Sequence, residues 1–214
     1  MDHLIEKTKE RSTVFQGRLL RLDVDTIIQP DGKEGVREYI RHPGGVGVVA
    51  LTDEGEVLLV KQYRYPYGEV LVEIPAGKRD PGEDPLTTGM RELEEETGYR
   101  AANYVSLGCM YPTPGCCDEK VYIYLATGLT LSESHPDADE FLDVERCPLD
   151  EMVRRVLAGE ITDDAHHLVK QQQRHQGIDG NFAAGFQCFH ITLPPFDCLT
   201  GVSFSEYPPG SWRR

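Results

Sequence analysis

The sequence predicts an α/β or α+β fold, and three observations carry that prediction. An apolar run of strand length stands at Val46-Gly-Val-Val-Ala-Leu51, and a capped helix reads from Pro85 to Thr97. Strand and helix patterns then interleave over most of the 214 residues. A chain of that length buries one good core with a small appendage.

Residues 12 to 42 read as short strands in a meander. Apolar side chains alternate along Leu20-Arg-Leu-Asp-Val-Asp-Thr-Ile27, Pro30-Asp-Gly32 turns the chain, and a second strand runs through Val36-Arg-Glu-Tyr-Ile40. So few strands are marginal alone. This small N-terminal β-sheet region should therefore pack on another domain or another subunit, through Leu20, Leu22 and Ile40. His42-Pro-Gly-Gly45 marks the boundary between residues 1–44 and a main domain over 45–178.

In the main domain, Val46–Leu51 reads as a buried strand and Asp53-Glu-Gly55 as a turn. Glu56-Val-Leu-Leu-Val-Lys-Gln62 is then its expected hairpin partner. Leu71-Val-Glu-Ile74 is a further strand, stopped by Pro75-Ala-Gly77. The helix over Pro85–Thr97 has Asp84 as N-cap, Pro85 at its first position and Gly98 as its stop. Leu86, Met90 and Leu93 form the face expected to dock on the sheet. Tyr104–Met110 and Val121–Leu125 read as strands around a Pro-Thr-Pro-Gly loop, followed by an acidic loop over Leu131–Ala138. A short strand near Phe141–Arg146 and helices over Leu149–Ala158 and Asp164–His175 complete the domain.

The tail, 179–214, differs in character. Residues 181 to 210 hold only two charged side chains, Asp197 and Glu206, yet five of the seven Phe. Prolines at 194, 195, 208 and 209 block a long helix there. No chemistry is legible in this segment, and it should be dispensable for catalysis.

A formal charge of −14 excludes non-specific binding to nucleic acid, whose phosphates demand a basic surface. It does not exclude a phosphate-bearing small molecule, provided divalent cations sit between the two sets of negative charge. The longest apolar runs fall far short of the ~20 residues that span a bilayer. The opening Met1-Asp-His-Leu-Ile-Glu-Lys7 lacks the pattern of a secretory leader. The expectation is a cytoplasmic protein with no membrane partner. Cys109, Cys116, Cys117, Cys147, Cys188 and Cys198 form neither a CxxC pair nor a zinc spacing, so they read as reduced thiols.

The informative segment is a glycine-containing loop feeding the first helix, whose last two turns carry four carboxylates. Glu92, Glu95 and Glu96 stand at i, i+3 and i+4 and share one face. They repel one another and oppose the helix dipole. Arg91 can relieve Glu95 one turn on, but not the whole cluster. Taken by itself, such a run is either a solvated acidic face or a site for hard divalent cations, which prefer oxygen ligands.

The spacing decides between them. Gly77, five residues, Glu83, seven residues and then Arg91-Glu92-Leu93-x-Glu95-Glu96-x-Gly98 resembles the Nudix box at every polar and glycine position. Tyr99, where an aliphatic residue is commoner, is the one soft departure. Leu58-Leu-Val-Lys61-Gln-Tyr-Arg64, Glu73-Ile-Pro-Ala-Gly77 and Tyr111-Pro-Thr-Pro114-Gly are similar to the ADP-ribose pyrophosphatase branch of that family. Pro114, fifteen residues past the box, is a marker of the branch. The similarity runs from about Phe15 to the Asp164-Ala165 region.

The resemblance implies an α/β/α sandwich with a mixed sheet, and N-terminal strands exchanged within a homodimer. It implies hydrolysis of the diphosphate of a nucleoside diphosphate sugar, with ADP-ribose giving AMP and ribose 5-phosphate. ADP-glucose or a GDP-sugar is the alternative substrate, and a non-catalytic ligand-binding module the alternative role. It implies two or more Mg²⁺ ions, or Mn²⁺ in their place, on Glu92, Glu96, Glu95 and the carbonyl of Ala76, with Arg91 orienting the carboxylates. Arg64, and Arg37 from the partner subunit, match positions that hold phosphate or ribose groups; each reads equally as a surface arginine. Phe15 reads either as a stacking surface for adenine or as a core residue of the N-terminal sheet. Ala138 occupies the place where relatives often carry a catalytic acid, which leaves Glu140 and Asp139 as the carboxylates able to act there.

Overall fold

The computed structural model describes residues 1–135 and 140–162. Ala138, Asp139, the helix expected over 164–175 and the tail lie outside the described residues. After a short 3₁₀ turn at Asp2–Leu4, the chain forms β1 (Lys7–Glu10), β2 (Thr13–Gln16), β3 (Arg21–Ile28) and β4 (Glu34–Arg41). It continues through β5 (Gly45–Ala50), β6 (Glu56–Arg64), β7 (Glu69–Glu73) and β8 (Ala76–Lys78) to α1 (Pro85–Thr97). β9 (Tyr99–Met110), β10 (Val121–Leu131), β11 (Leu142–Pro148) and α2 (Leu149–Ala158) follow.

These strands make three sheets. In the N-terminal sheet β4 takes one edge of β3, while β1 and β2 share the other. The central sheet is mixed, in the order β8-β5-β10-β9, with β5 and β10 parallel. The third sheet, β11-β6-β7, is antiparallel. No helix among the described residues is long and apolar enough to cross a membrane.

Three local expectations are corrected. β6 is not the hairpin partner of β5: the two meet only at a single bridge, Leu51↔Val57. A strand has two hydrogen-bonding edges, and those of β5 are taken by β10 along its length and by β8 and the Pro75 carbonyl on the other side. β6 therefore starts the third sheet. In the N-terminal sheet the buried face of β3 carries Asp23, Asp25 and Ile27, while Leu22 is only half-buried and Leu20 is exposed. Asp23 tolerates burial because Thr13, Arg21 and Arg41 all donate to it. Phe15 is 59% exposed on a strand exposed throughout, so it is not a core residue.

The third correction concerns α1. Its buried face is Thr88, Gly89, Glu92, Leu93, Glu96 and Thr97, whereas Met90 is 48% exposed. Gly89 explains the rotation. A Cβ there would lie 3.0 Å from Val46 Cγ1 and 3.3 Å from Val48 Cγ2, so the missing side chain lets the helix rest on β5. Leu93 completes the contact in a core with Val46, Val48, Ala50, Leu58 and Ala126.

Candidate active site

The seating of α1 turns two of its glutamates inward. Asp84 fixes the start of the helix by accepting from the N–H groups of Leu86 and Thr87, at 3.0 and 3.4 Å. Gly98, at φ 70°, takes the left-handed conformation that ends it. Between these caps, Gly89, Glu92 and Glu96 follow at i, i+3 and i+7, on the face against the sheet. Glu92 is 7% exposed and Glu96 only 2%, which overturns the reading of a solvated acidic face.

Each carboxylate has a distinct set of partners. Glu96 accepts from the backbone N–H of Ala76 at 2.9 Å. Arg91 Nη1 donates to Glu92 Oε1 and to Glu95 Oε2, both at 2.8 Å. The same guanidinium reaches Glu83 at 3.3–3.4 Å and the Lys78 carbonyl at 3.2 Å. Arg91 thus relieves three carboxylates rather than one, and none of its bonds goes to Glu96. Glu83 also accepts from the Thr88 hydroxyl at 2.8 Å. The bonds from Arg91 and Thr88 hold its carboxyl down at about 2.

Burial does the opposite to Glu92 and Glu96. Desolvation, against the pull of Arg91 and with the added charges of Glu95 and Glu140, pushes Glu92 up to about 7. Desolvation also pushes Glu96 up to about 8, against the Ala76 N–H bond and with Glu92 and Glu140 adding repulsion. Paired carboxylates that resist ionising this strongly call for positive charge.

A cleft of about 720 Å³ opens over this helix face. Glu92, Glu95, Arg91, Ala76, Arg64 and Glu140 line it. Gly77 lines it too, and a Cβ there would lie 1.9 Å from Glu92 Cδ, so only glycine leaves room for that carboxylate. Glu140 reaches the cleft on a segment whose preceding residues are fastened to the end of α1. The Ser134 hydroxyl and the His135 N–H both donate to the Glu95 carbonyl, at 2.8 and 3.1 Å, and the Ser132 hydroxyl donates to Glu94 at 2.7 Å.

The donor chemistry fits hard divalent cations: carboxylates rather than thiols or imidazoles, buried, and short of positive charge. Among the described residues, however, no three such side chains converge as a ready cage. Glu92 and Glu95 are turned onto Arg91, and Glu96 onto Ala76 N–H. The two carboxylates on Arg91 must turn from it before they can share an ion.

Three residues expected to touch substrate, Arg37 among them from a partner subunit, stand outside the cleft of their own chain. Arg37 is exposed on β4 and paired with Glu6, Phe15 is exposed on β2, and Pro114 is exposed in a turn closed on the Thr113 carbonyl. None of the three lines the cleft of its own chain. The reading of the sequence missed Glu73, a buried acid that binds Arg64 through both oxygens. A lone charge inside the apolar stretch Leu71-Val-Glu-Ile74 was the available signal, since such a residue needs a partner.

The model of the family described as the NUDIX domain matches residues 41–172. An ADP-ribose pyrophosphatase of Bacillus subtilis is 42% identical over 165 residues, spanning 76% of this chain and 89% of that protein. A methanol dehydrogenase activator of Bacillus methanolicus is also 42% identical, over 74% of this chain and 86% of its own length. A crystal structure of an ADP compounds hydrolase superposes with a TM-score of 0.67 at 24% identity, covering 80% of this chain and 96% of that one.

Proposed function

The chain belongs to the Nudix family, and from that premise we propose that it is a divalent-cation-dependent pyrophosphatase acting on nucleoside diphosphate sugars, with ADP-ribose the favoured substrate. The observation that carries this reading is the pair of buried carboxylates, Glu92 and Glu96, the first lining the cleft and both lacking enough positive charge. When bound, Mg²⁺ or Mn²⁺, two or more ions per site, would neutralise those carboxylates and the substrate's diphosphate together. Glu92, Glu95 and Glu96 are the side chains to hold them, with the Ala76 carbonyl.

The protein's own groups do the rest. Arg91 holds Glu92 and Glu95 side by side until they turn from it to take up the ions. Glu140, with Asp139 beside it in sequence, orients a water and accepts its proton as the oxygen attacks phosphorus. The bond from phosphorus to the bridging oxygen breaks, and AMP and ribose 5-phosphate leave. Arg64 binds the diphosphate oxygens, to which a guanidinium presents a matched pair of donors. Arg37 and Phe15 serve the cleft of a second copy within a homodimer.

A panel of nucleotide sugars, assayed for AMP and sugar phosphate release with Mg²⁺, tests the reading. ADP-ribose should lead, ahead of ADP-glucose and GDP-sugars. Faster turnover of one of those would change the substrate and keep the chemistry. Tight binding of ADP-ribose with no turnover under any divalent ion would replace the enzyme by a ligand-binding module.

A further inference from the structure

Glu73 ends β7 and is only 6% exposed, a buried charge outside the acidic helix. Both its oxygens accept from Arg64, whose Nε lies 2.9 Å from Oε1 and 3.0 Å from Oε2, and whose Nη2 also donates to Oε2. The strand register pairs Arg64 with Glu69 and Val60 with Glu73. The arginine has therefore turned back along the sheet, away from its own cross-strand glutamate, to reach a carboxylate four pairs away.

That end of β7 leads within three residues to Ala76, whose N–H holds Glu96. Arg64 lines the same cleft as Glu140, and its guanidinium, gripped first by Glu73, also feels the negative charges of Glu96 and Glu140. Three carboxylates thus attract one guanidinium. Charge-assisted hydrogen bonds of this kind are short and strong. With Glu73 removed, that attraction would draw Arg64 toward Glu96, whose oxygens a cation would need.

Resting on the proposed metal-dependent reading, we propose that Glu73 is a positioning residue: it holds Arg64 away from Glu96, which keeps that carboxylate available to divalent cations and leaves the arginine preset for substrate phosphate. The fork between the two side chains suits this task, because two donors on two acceptors fix direction as well as distance. Burial of Glu73 strengthens the hold by keeping water from competing.

The experiment is a Mn²⁺ titration of the full chain without substrate, followed by calorimetry and by free-Mn²⁺ paramagnetic resonance. Glu73→Gln keeps the shape and releases the arginine, and should weaken Mn²⁺ binding by about tenfold, a shift of about 1.4 kcal/mol. Adding Arg64→Gln should restore affinity to within about threefold of wild type, because the competing guanidinium is gone. KM for ADP-ribose should stay raised in the double variant, because the arginine that binds the diphosphate is gone. A purely structural role for Glu73 predicts no such rescue. If Glu73→Gln fails to fold, Glu73→Asp keeps the charge but shortens the reach, and should show a smaller loss with the same rescue.

Wild-type Mn²⁺ affinity in folded Glu73→Gln would overturn the proposal. So would a double variant as weak as the single one, since Glu73 would then act on the ion directly. Glu96→Gln is the control for the underlying reading: unchanged Mn²⁺ binding in that variant would remove the metal site itself.

Discussion

Glu92 and Glu96 keep their protons further up the pH scale than ordinary carboxylates, at about 7 and about 8 against 4.5. The metal-free native state therefore binds more protons than the unfolded chain across that interval. Their contribution to stability is complete below the unfolded value and is lost as pH rises through the folded ones. Metal-free protein should melt on the order of 5 °C lower at pH 9 than at pH 6, and saturating Mg²⁺ should flatten or reverse that slope. Scanning calorimetry with chelator and with Mg²⁺ at both pH values checks this, and a chelated melting point that rises toward pH 9 would refute the burial argument. Gly77 makes a sharper demand at the same place. An alanine Cβ would overlap the Glu92 carboxylate at 1.9 Å, so Gly77→Ala must displace that side chain. Turnover should fall on the order of a hundredfold, the usual consequence of a misplacement near 1 Å, while the protein still folds. Steady-state rates beside a thermal melt decide it; near-normal turnover would mean that Glu92 works equally well from another position.

Helix α1 was legible to the residue, because its signals are local: Asp84, Pro85 and Gly98 each act within a turn of where they stand. The face it buries was not legible. Periodicity favours Leu86, Met90 and Leu93, but docking is set by the absent side chain of Gly89 and by Val46 and Val48, some 40 residues earlier in sequence. The same limit applies to β5 and β6, adjacent in sequence and turn-linked, whose pairing is excluded because β10 and β8 occupy the edges of β5. Glu73 and the inward turn of Glu92 and Glu96 belong to this class: their meaning depends on partners brought in by the fold. One consequence is that helix-to-sheet spacing sets the position of the carboxylates. Gly89→Val adds bulk where even a Cβ would sit 3.0 Å from Val46, and overpacking of this kind costs roughly 1–3 kcal/mol. Since Gly89 shares its face with Glu92 and Glu96, the variant should also need several-fold more Mg²⁺ for half-maximal turnover. Chemical denaturation and a Mg²⁺ titration of activity measure the two effects. A loss of stability with an unchanged Mg²⁺ requirement would uncouple helix seating from the site.

At the scale of the whole molecule, the N-terminal region leaves several apolar side chains uncovered: Val14, Phe15, Leu19, Leu20 and Val36 are all exposed. The sheet of that region carries Arg37, which does not line its own cleft and is held by Glu6. A second copy resolves both facts at once if the sheet of one protomer covers the other and brings Arg37 to its substrate. Shared sites of that kind have a signature that no arrangement with self-contained sites can imitate. Arg37→Ala removes the donated arginine and Glu96→Gln removes the metal-facing carboxylate, and each homodimer should be nearly inactive. Mixed and allowed to exchange, the two variants form heterodimers in which one site has an intact Glu96 from one chain and an intact Arg37 from the other. The second site of each heterodimer carries both defects. With equal mixing, half the dimers are mixed and one site in two is whole, so activity should return to about a quarter of wild type. Light scattering establishes the dimer, and the mixing assay locates Arg37 within it. A stable, active monomer at micromolar concentration would remove the dimer, and a dimer whose mixed variants stay inactive would return Arg37 to an ordinary surface role.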